Sequence, residues 1–298
     1  MQDHSSQSSD PILAIAWRTG SRVHARKLNT GGDLSQYLLD IAGAADSLTA
    51  EAKSEPYRPD GGEAEPGVIY HAKRDDRIDS ELIDELAKGE DLDFADDVDL
   101  KRPIACYAIV FGTDADQRVY VRRQSPVKLA RKRLFAALLD GPITELQTPV
   151  LAFDDYVDVI IDAERIVVLN SKGFESLFRD SEAVLEAVPK WVGELRGHVG
   201  FSDESGDILA VAVRRNSFHR NKLLAILDSE YVDTLTPKRI RKRMKQHGLN
   251  HEELLVDDVL QITEENLGDV LKLLNEDLYK GDFSDRQFAA SGKRPFGQ

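Results

Sequence analysis

The chain has 298 residues, is 41% hydrophobic and 31% charged, and carries a formal net charge of −14. That is enough apolar material for a full core and suits two domains or three small ones. One cysteine, Cys106, excludes an internal disulfide, and no run of about 18 apolar residues is available to cross a bilayer. The opening MQDHSSQSSD lacks the basic and apolar regions of a signal peptide, so a reducing cytoplasm is the expected location.

In chain order, a polar start leads to Ile12–Trp17 and Arg22–Leu28, which read as two strands around Thr19-Gly20-Ser21. Leu34, Tyr37, Leu38, Ile41, Ala42 and Ala45 recur at helical spacing, with Asp33 as the expected N-cap after Gly31-Gly32. Glu51–Gly67 is rich in Pro, Gly and Glu and reads as an exposed loop, followed by a strand at Val68–Ala72. Ser80–Lys88 predicts a short helix capped by Asp79 and stopped by Gly89. Glu90–Asp99 holds six acidic residues and reads as a linker, which puts the expected domain boundary near residue 100.

Beyond it, Ile104–Phe111 and Arg118–Arg123 read as paired strands around Gly112-Thr113-Asp114, and a basic segment runs on to Leu139. Thr148–Phe153 leads into a strongly patterned hairpin. Its strands, Tyr156–Ile161 and Ile166–Leu169, flank the polar Asp162-Ala163-Glu164-Arg165. The adjacent pairs Ile160-Ile161 and Val167-Val168 place apolar groups on both faces, so this hairpin belongs inside a sheet. Phe174, Leu177 and Phe178 then predict a helix lying back on it. Ser181–Arg196, Phe218–Leu227 and Pro237–His247 are expected as helices, with another marked by Leu267, Val270, Leu271, Leu274 and Leu278. Ile208–Val213 is too short and uniformly apolar to assign. The fold class is therefore α+β. A mixed α/β acidic region (1–100) precedes a domain over 101–298, in which a central antiparallel sheet with covering helices (101–180) leads to a mostly helical part (181–298).

The charge is unevenly spread. Residues 1–100 hold 22 Asp/Glu against 10 Lys/Arg, and the remainder 31 against 29. Three stretches in that remainder are cationic with no acid among them: Arg118–Arg133, Arg214–Lys222 (Arg214, Arg215, Arg220, Lys222) and Lys238–Lys245 (Lys238, Arg239, Arg241, Lys242, Arg243, Lys245). In the last, Thr236 is the expected N-cap, Pro237 suits the first helical position and Gly248 the stop. Ile240, Met244 and His247 share a narrow stripe that can dock on the protein, leaving six cations to meet phosphate. Such binding is driven by counterion release and weakens steeply with salt. The plainer reading is that these faces are solvated, or dock on the acidic first hundred residues. A helix-turn-helix over Pro237–Val256 is rejected, because Glu252 and Glu253 would repel a duplex from the recognition helix. Contacts to phosphate rather than base edges are expected.

Two other classes remain open. A metal-dependent nuclease would draw on Asp154, Asp155, Asp158, Asp162 and Glu164. No lysine at suitable spacing accompanies them, and Asp154, Asp155 and Asp162 read as strand terminators. His247 and His251 have i, i+4 spacing, but Gly248 interrupts it. No GxxxxGK[ST], GxSxG or paired CxxC occurs. No cofactor, metal or catalytic residue is assigned. The third class is an adaptor whose cationic helices meet only protein.

From Ile104 to Phe296 the order of features carries a likeness. An apolar strand runs into FDDYVDVIIDAERIVVLN, then GFESLF, then NKLLAIL and VLKLLNEDL, with SGKR near the end. This resembles the KwaB family of the Kiwa anti-phage defence system. The resemblance implies a cytoplasmic DNA-binding effector, homo-oligomeric as a dimer or tetramer. It would act with KwaA, a multi-span membrane protein, and block phage replication and late transcription. Family contact positions would fall on Lys222 in NKLL and on Lys293 and Arg294 in SGKR.

Overall fold

In the computed structural model, the described residues are 10–59, 64–74, 77–113, 116–124, 136–138, 143–145, 153–281, 283–284 and 286–290. They divide into two compact units, Met1–Pro56 with Glu65–Ala183, and Tyr57–Ala64 with Val184–Gln298. The class is α+β, as the pattern of elements predicted.

The first unit contains, in order, β1 (Ile12–Thr19), β2 (Arg22–Leu28), α1 (Gly32–Glu51), β3 (Lys53–Pro56), β4 (Val68–Ala72), α2 (Ser80–Ala87), β5 (Cys106–Phe111) and β6 (Arg118–Arg123). A separate pair follows, β7 (Ala136–Leu138) and β8 (Ile143–Glu145). Then come β9 (Val159–Ile161), β10 (Ile166–Val168), α3 (Ser171–Phe174) and a π-helical turn over Glu175–Arg179. Eight of the strands form one sheet in the order β2-β1-β5-β6-β9-β10-β4-β3. All its pairings are antiparallel except β3 with β4.

Alternation sorts the two faces. Leu13, Ile15 and Trp17 of β1 share a core with Tyr107 and Ile109 of β5, and with Leu38, Ile41, Ala42 and Ala45 of α1. The intervening positions are small, Ala14 and Ala16 opposite Ala108 and Cys106, and α2 contacts β1, β2 and β5. The hairpin of β9 and β10 lies between β6 and β4 with all six residues buried, as the doubled apolar pairs required. Asp162 tightens its turn by accepting from Glu164 N and Arg165 N at 3.0 and 2.8 Å.

Several expectations are corrected. The acidic run near residue 95 is not a separating linker. Lys27 N donates to Asp93 O and Ala95 N to Lys27 O, both at 2.9 Å, so this segment covers the outer edge of β2. The sheet draws strands from both sides of residue 100, and the chain divides between Ala183 and Val184 instead. Within the expected loop Glu51–Gly67 lies β3, whose Lys-Ser-Glu-Pro is an exposed edge with none of the β-branched residues that advertise a strand. Asp33 falls inside the first turn of α1, and Gly31 takes the cap position.

From α4 (Glu182–Leu185) onward the chain is mostly helical: α5 (Val188–His198), α6 (Asp203–Arg215), α7 (Ser217–Leu227), α8 (Pro237–Gln246), α9 (His251–Leu254) and α10 (Leu267–Leu274). Two small hairpins accompany them, β11 (Leu255–Val256) with β12 (Val259–Leu260), and β13 (Leu278–Lys280) with β14 (Gln287–Ala289). Pro189 in the first turn of α5 accounts for the break within the expected helix Ser181–Arg196. Ile208–Val213 is helical, inside α6. Trp191, Leu195, Leu209, Val213, Leu223, Ile226, Met244 and Leu271 are among the buried residues of this unit's core.

Candidate nucleic-acid interface

The helix α8 forms for reasons visible in its own residues. Thr236 accepts from Arg239 N at 3.3 Å as the N-cap, and Pro237 occupies the first helical position. At the other end Gly248 takes φ 69, with Leu249 N bonded to Met244 O at 2.9 Å and Gly248 N to Lys245 O at 3.3 Å. That is a Schellman closure. Ile240 and Met244 are buried, at 3% and 0% exposure, and dock the helix on the core. His247 is half-buried beside them.

Six cations occupy the rest of the surface in two rows. Lys238, Arg241, Lys242 and Lys245 sit at i, i+3, i+4 and i+7, one continuous face. With Thr236 and Arg239 they line a shallow depression. Arg239 and Arg243 form the second row. Lys238, Lys242 and Lys245 are exposed and have no carboxylate partner among the described residues. Arg241 is paired with Asp258 at 2.6 Å, and Arg243 lies 3.6 Å from Glu276. Arg239 donates to Thr234 Oγ1. So part of the charge is internally compensated and part is not.

The unpaired part is energetically unfavourable for the helix. Like charges at i, i+3 and i, i+4 each cost a few tenths of a kcal/mol, or ~0.2–0.5. Lys238 and Arg239 stand at the positive end of the helix dipole, with no acid in the first turn to offset them. Local stability does not select this arrangement, and an anion laid along the face would relieve it.

The second predicted stretch divides differently. Arg214 and Arg215 are exposed in the last turn of α6. Arg220 is 4% exposed and donates to the α6 carbonyls Val213 O and Arg214 O at 3.1 and 3.4 Å. It closes a helix C-terminus and does not face solvent. Lys222 is 1% exposed, and its Nζ bonds Asp277 Oδ2 at 2.5 Å. Asn275 Nδ2 donates to the other oxygen of that carboxylate at 2.9 Å. Both residues are therefore removed from the expected contact set, because a buried, hydrogen-bonded cation cannot reach a phosphate. Lys293 and Arg294 lie outside the described residues, as do Lys128, Arg131, Lys132 and Arg133 of the first basic stretch.

The acidic cluster has its own partners. Asp158 is fully buried and accepts from Arg122 Nη1 at 2.9 and 2.8 Å and from Arg123 N at 2.7 Å. Asp154 takes Arg122 Nε at 2.7 Å. Burial alone would lower the Arg122 pKa, but its bonds to Asp158 and then Asp154 outweigh that and hold it above the ordinary value. These carboxylates neutralise an arginine. No group of three His, Cys, Asp or Glu arranged for a metal ion exists among the described residues. His247 Nδ1 lies 3.2 Å from Gln287 Oε1. After α8, α9 is a single turn running straight into β11, so no second helix of recognition length follows.

Sequence reasoning missed the two compensating acids, Asp258 and Glu276. Each has positive φ, 63 and 56. The signal for Asp258 was present: Asp257-Asp258 between two apolar pairs is a two-residue hairpin loop. Comparison with known proteins returns no match among family models, curated proteins or solved structures.

Proposed function

We propose that the chain binds DNA without sequence specificity through the outer face of α8. In accordance with the KwaB resemblance, we propose that it serves as an anti-phage effector blocking replication or late transcription. The observation that carries this reading is the row Lys238, Lys242 and Lys245, exposed and without a carboxylate partner among the described residues, on a helix whose charge pattern opposes its own stability. Arg241 completes the row once its carboxylate partner yields, and Arg214 and Arg215 add exposed charge in the same unit. The homo-oligomer and a KwaA-like multi-span membrane partner belong to the same proposal. No helix among the described residues is long and apolar enough to cross a membrane, so on this reading membrane association comes through that partner.

The test is retention of DNA across a salt series. Replacing Lys238, Lys242 and Lys245 together by Glu is expected to weaken retention and to flatten the log–log salt slope by about 3, near 0.9 per lost phosphate contact. An unchanged slope removes this face from the interface. Retention of a membrane partner without any DNA retention would favour the adaptor reading.

A further inference from the structure

The flank of α8 that carries Arg239 and Arg243 borders a second feature. Leu235, Ile240, Leu273, Leu274 and Leu278 floor a cavity of about 160 Å³. Arg239, Arg243, His247 and Glu276 stand around it. Each basic rim group is held in place by a neighbour. Arg239 donates to Thr234, Arg243 Nη1 donates to Gln246 Oε1 at 3.2 Å with Glu276 3.6 Å away, and His247 lies 3.2 Å from Gln287.

The dimensions and chemistry narrow the occupant. A cavity of about 150 Å³ accommodates one planar ring of benzene size, and the wall of this one is shared between aliphatic side chains and the polar groups of Arg239, Arg243, His247 and Glu276. The leucine floor selects an apolar face, two guanidiniums at the rim select an anion beside it, and Glu276 offers an acceptor to a ring-edge amine. Arg239 lines both this cavity and the depression under the lysine row, so a single side chain joins the two. A flat ring attached to a phosphate, continuing into further phosphates, is a nucleotide within a strand. Bases inside a duplex are stacked and edge-paired and cannot enter without being flipped out.

We propose that the cavity takes one unstacked nucleobase, and that the ligand class of this interface is single-stranded DNA, including frayed or looped ends. The base occupies the leucine floor, its own phosphate meets Arg239 and Arg243, and the phosphates that follow lie along Lys238, Lys242 and Lys245. This rests on the DNA-binding reading above and narrows it.

The experiment compares a single-stranded oligonucleotide with a blunt duplex of equal length at one salt concentration, using a strand in which a 2-aminopurine stands beside a run of thymines. The single strand is expected to be held more tightly than the duplex, and 2-aminopurine fluorescence to rise as the neighbouring thymine leaves the stack. Leu278→Trp fills the cavity from a half-buried position, and is expected to erase both the preference and the fluorescence rise while duplex retention persists. The fluorescence arm uses the unaltered protein, so a folding defect in the variant does not decide the matter. Equal retention of both forms with flat fluorescence, while the three-lysine variant still weakens binding, overturns the cavity and spares the DNA reading. Retention of neither form overturns both.

Discussion

Arg241 and Asp258 meet at 2.6 Å because the two-residue loop between β11 and β12 holds left-handed backbone at both Asp257 and Asp258, φ 50 and 63. Asn and Gly usually fill such a turn. An aspartate costs on the order of 1 kcal/mol of backbone strain there, and it sets a carboxylate against the cationic row. The pair is largely exposed and adds little stability. Its larger effect is to compete with phosphate. Asn tolerates the same conformation without the charge, so Asp258→Asn is expected to fold normally and tighten DNA retention. The salt slope should steepen by up to about 1. Gel-shift titrations at several salt concentrations measure this, and an unaltered slope means Arg241 never meets phosphate.

Lys222 supplies the contrasting case. Lys222→Met takes the buried Lys222 cation away from Asp277, and removing one partner of such a pair costs ~3–5 kcal/mol. Urea denaturation should show that loss, while DNA retention per folded molecule stays level. A retention defect at full stability would return Lys222 to the interface.

Gly173 lies against Asp158. A Cβ built there would stand 2.2 Å from Asp158 Cγ, and Arg122 and Arg123 N keep that carboxylate from moving aside. Gly173→Ala is expected to destabilise the protein by at least ~1–3 kcal/mol. In α5, by contrast, a Cβ at Gly193 meets nothing within 4 Å, so Gly193→Ala should stabilise by ~0.5–1 kcal/mol. Thermal melts of the two variants, moving in opposite directions, check both.

Burial pushes the Cys106 thiol up to about 12 from 9.0, and burial likewise raises Tyr107 to about 12 from 10.0. Above 9.0 the unfolded chain loses protons that the folded chain keeps, so the unfolded state binds fewer. Stability is therefore complete below that pH and falls as pH rises, by up to ~1.4 kcal/mol per unit for each group. Cys106→Ala should flatten the onset of the decline in urea midpoints. At neutral pH the thiol should resist a thiol reagent until the protein is denatured.

How much of this could be read from residues alone depended on range. The caps and buried stripe of α8, and the doubly apolar hairpin Val159–Val168, rest on neighbours within one or two turns, and both were legible. β3 escaped because an edge strand held by backbone bonds to β4 needs no apolar alternation. Lys222 and Arg220 looked like surface cations because nothing near Lys222 announces Asp277, 55 residues further on. A run of positive charge shows that cations are present. Which of them remain unneutralised is a tertiary fact, settled by Asp258, Glu276 and Asp277.

The strand order β2-β1-β5-β6-β9-β10-β4-β3 also bears on how the protein is made. Residues 12–72 supply both margins of the sheet and none of its middle. While the chain leaves the ribosome, β1–β2 gains β5 and β6 by Arg123, but the β3–β4 ribbon has no place in the sheet until β9 and β10, ending at Val168, bridge the two. Such delayed, long-range closure slows folding and leaves sticky strand borders open in the meantime. A nascent chain stalled before that point lacks the strands that join the two margins of the sheet.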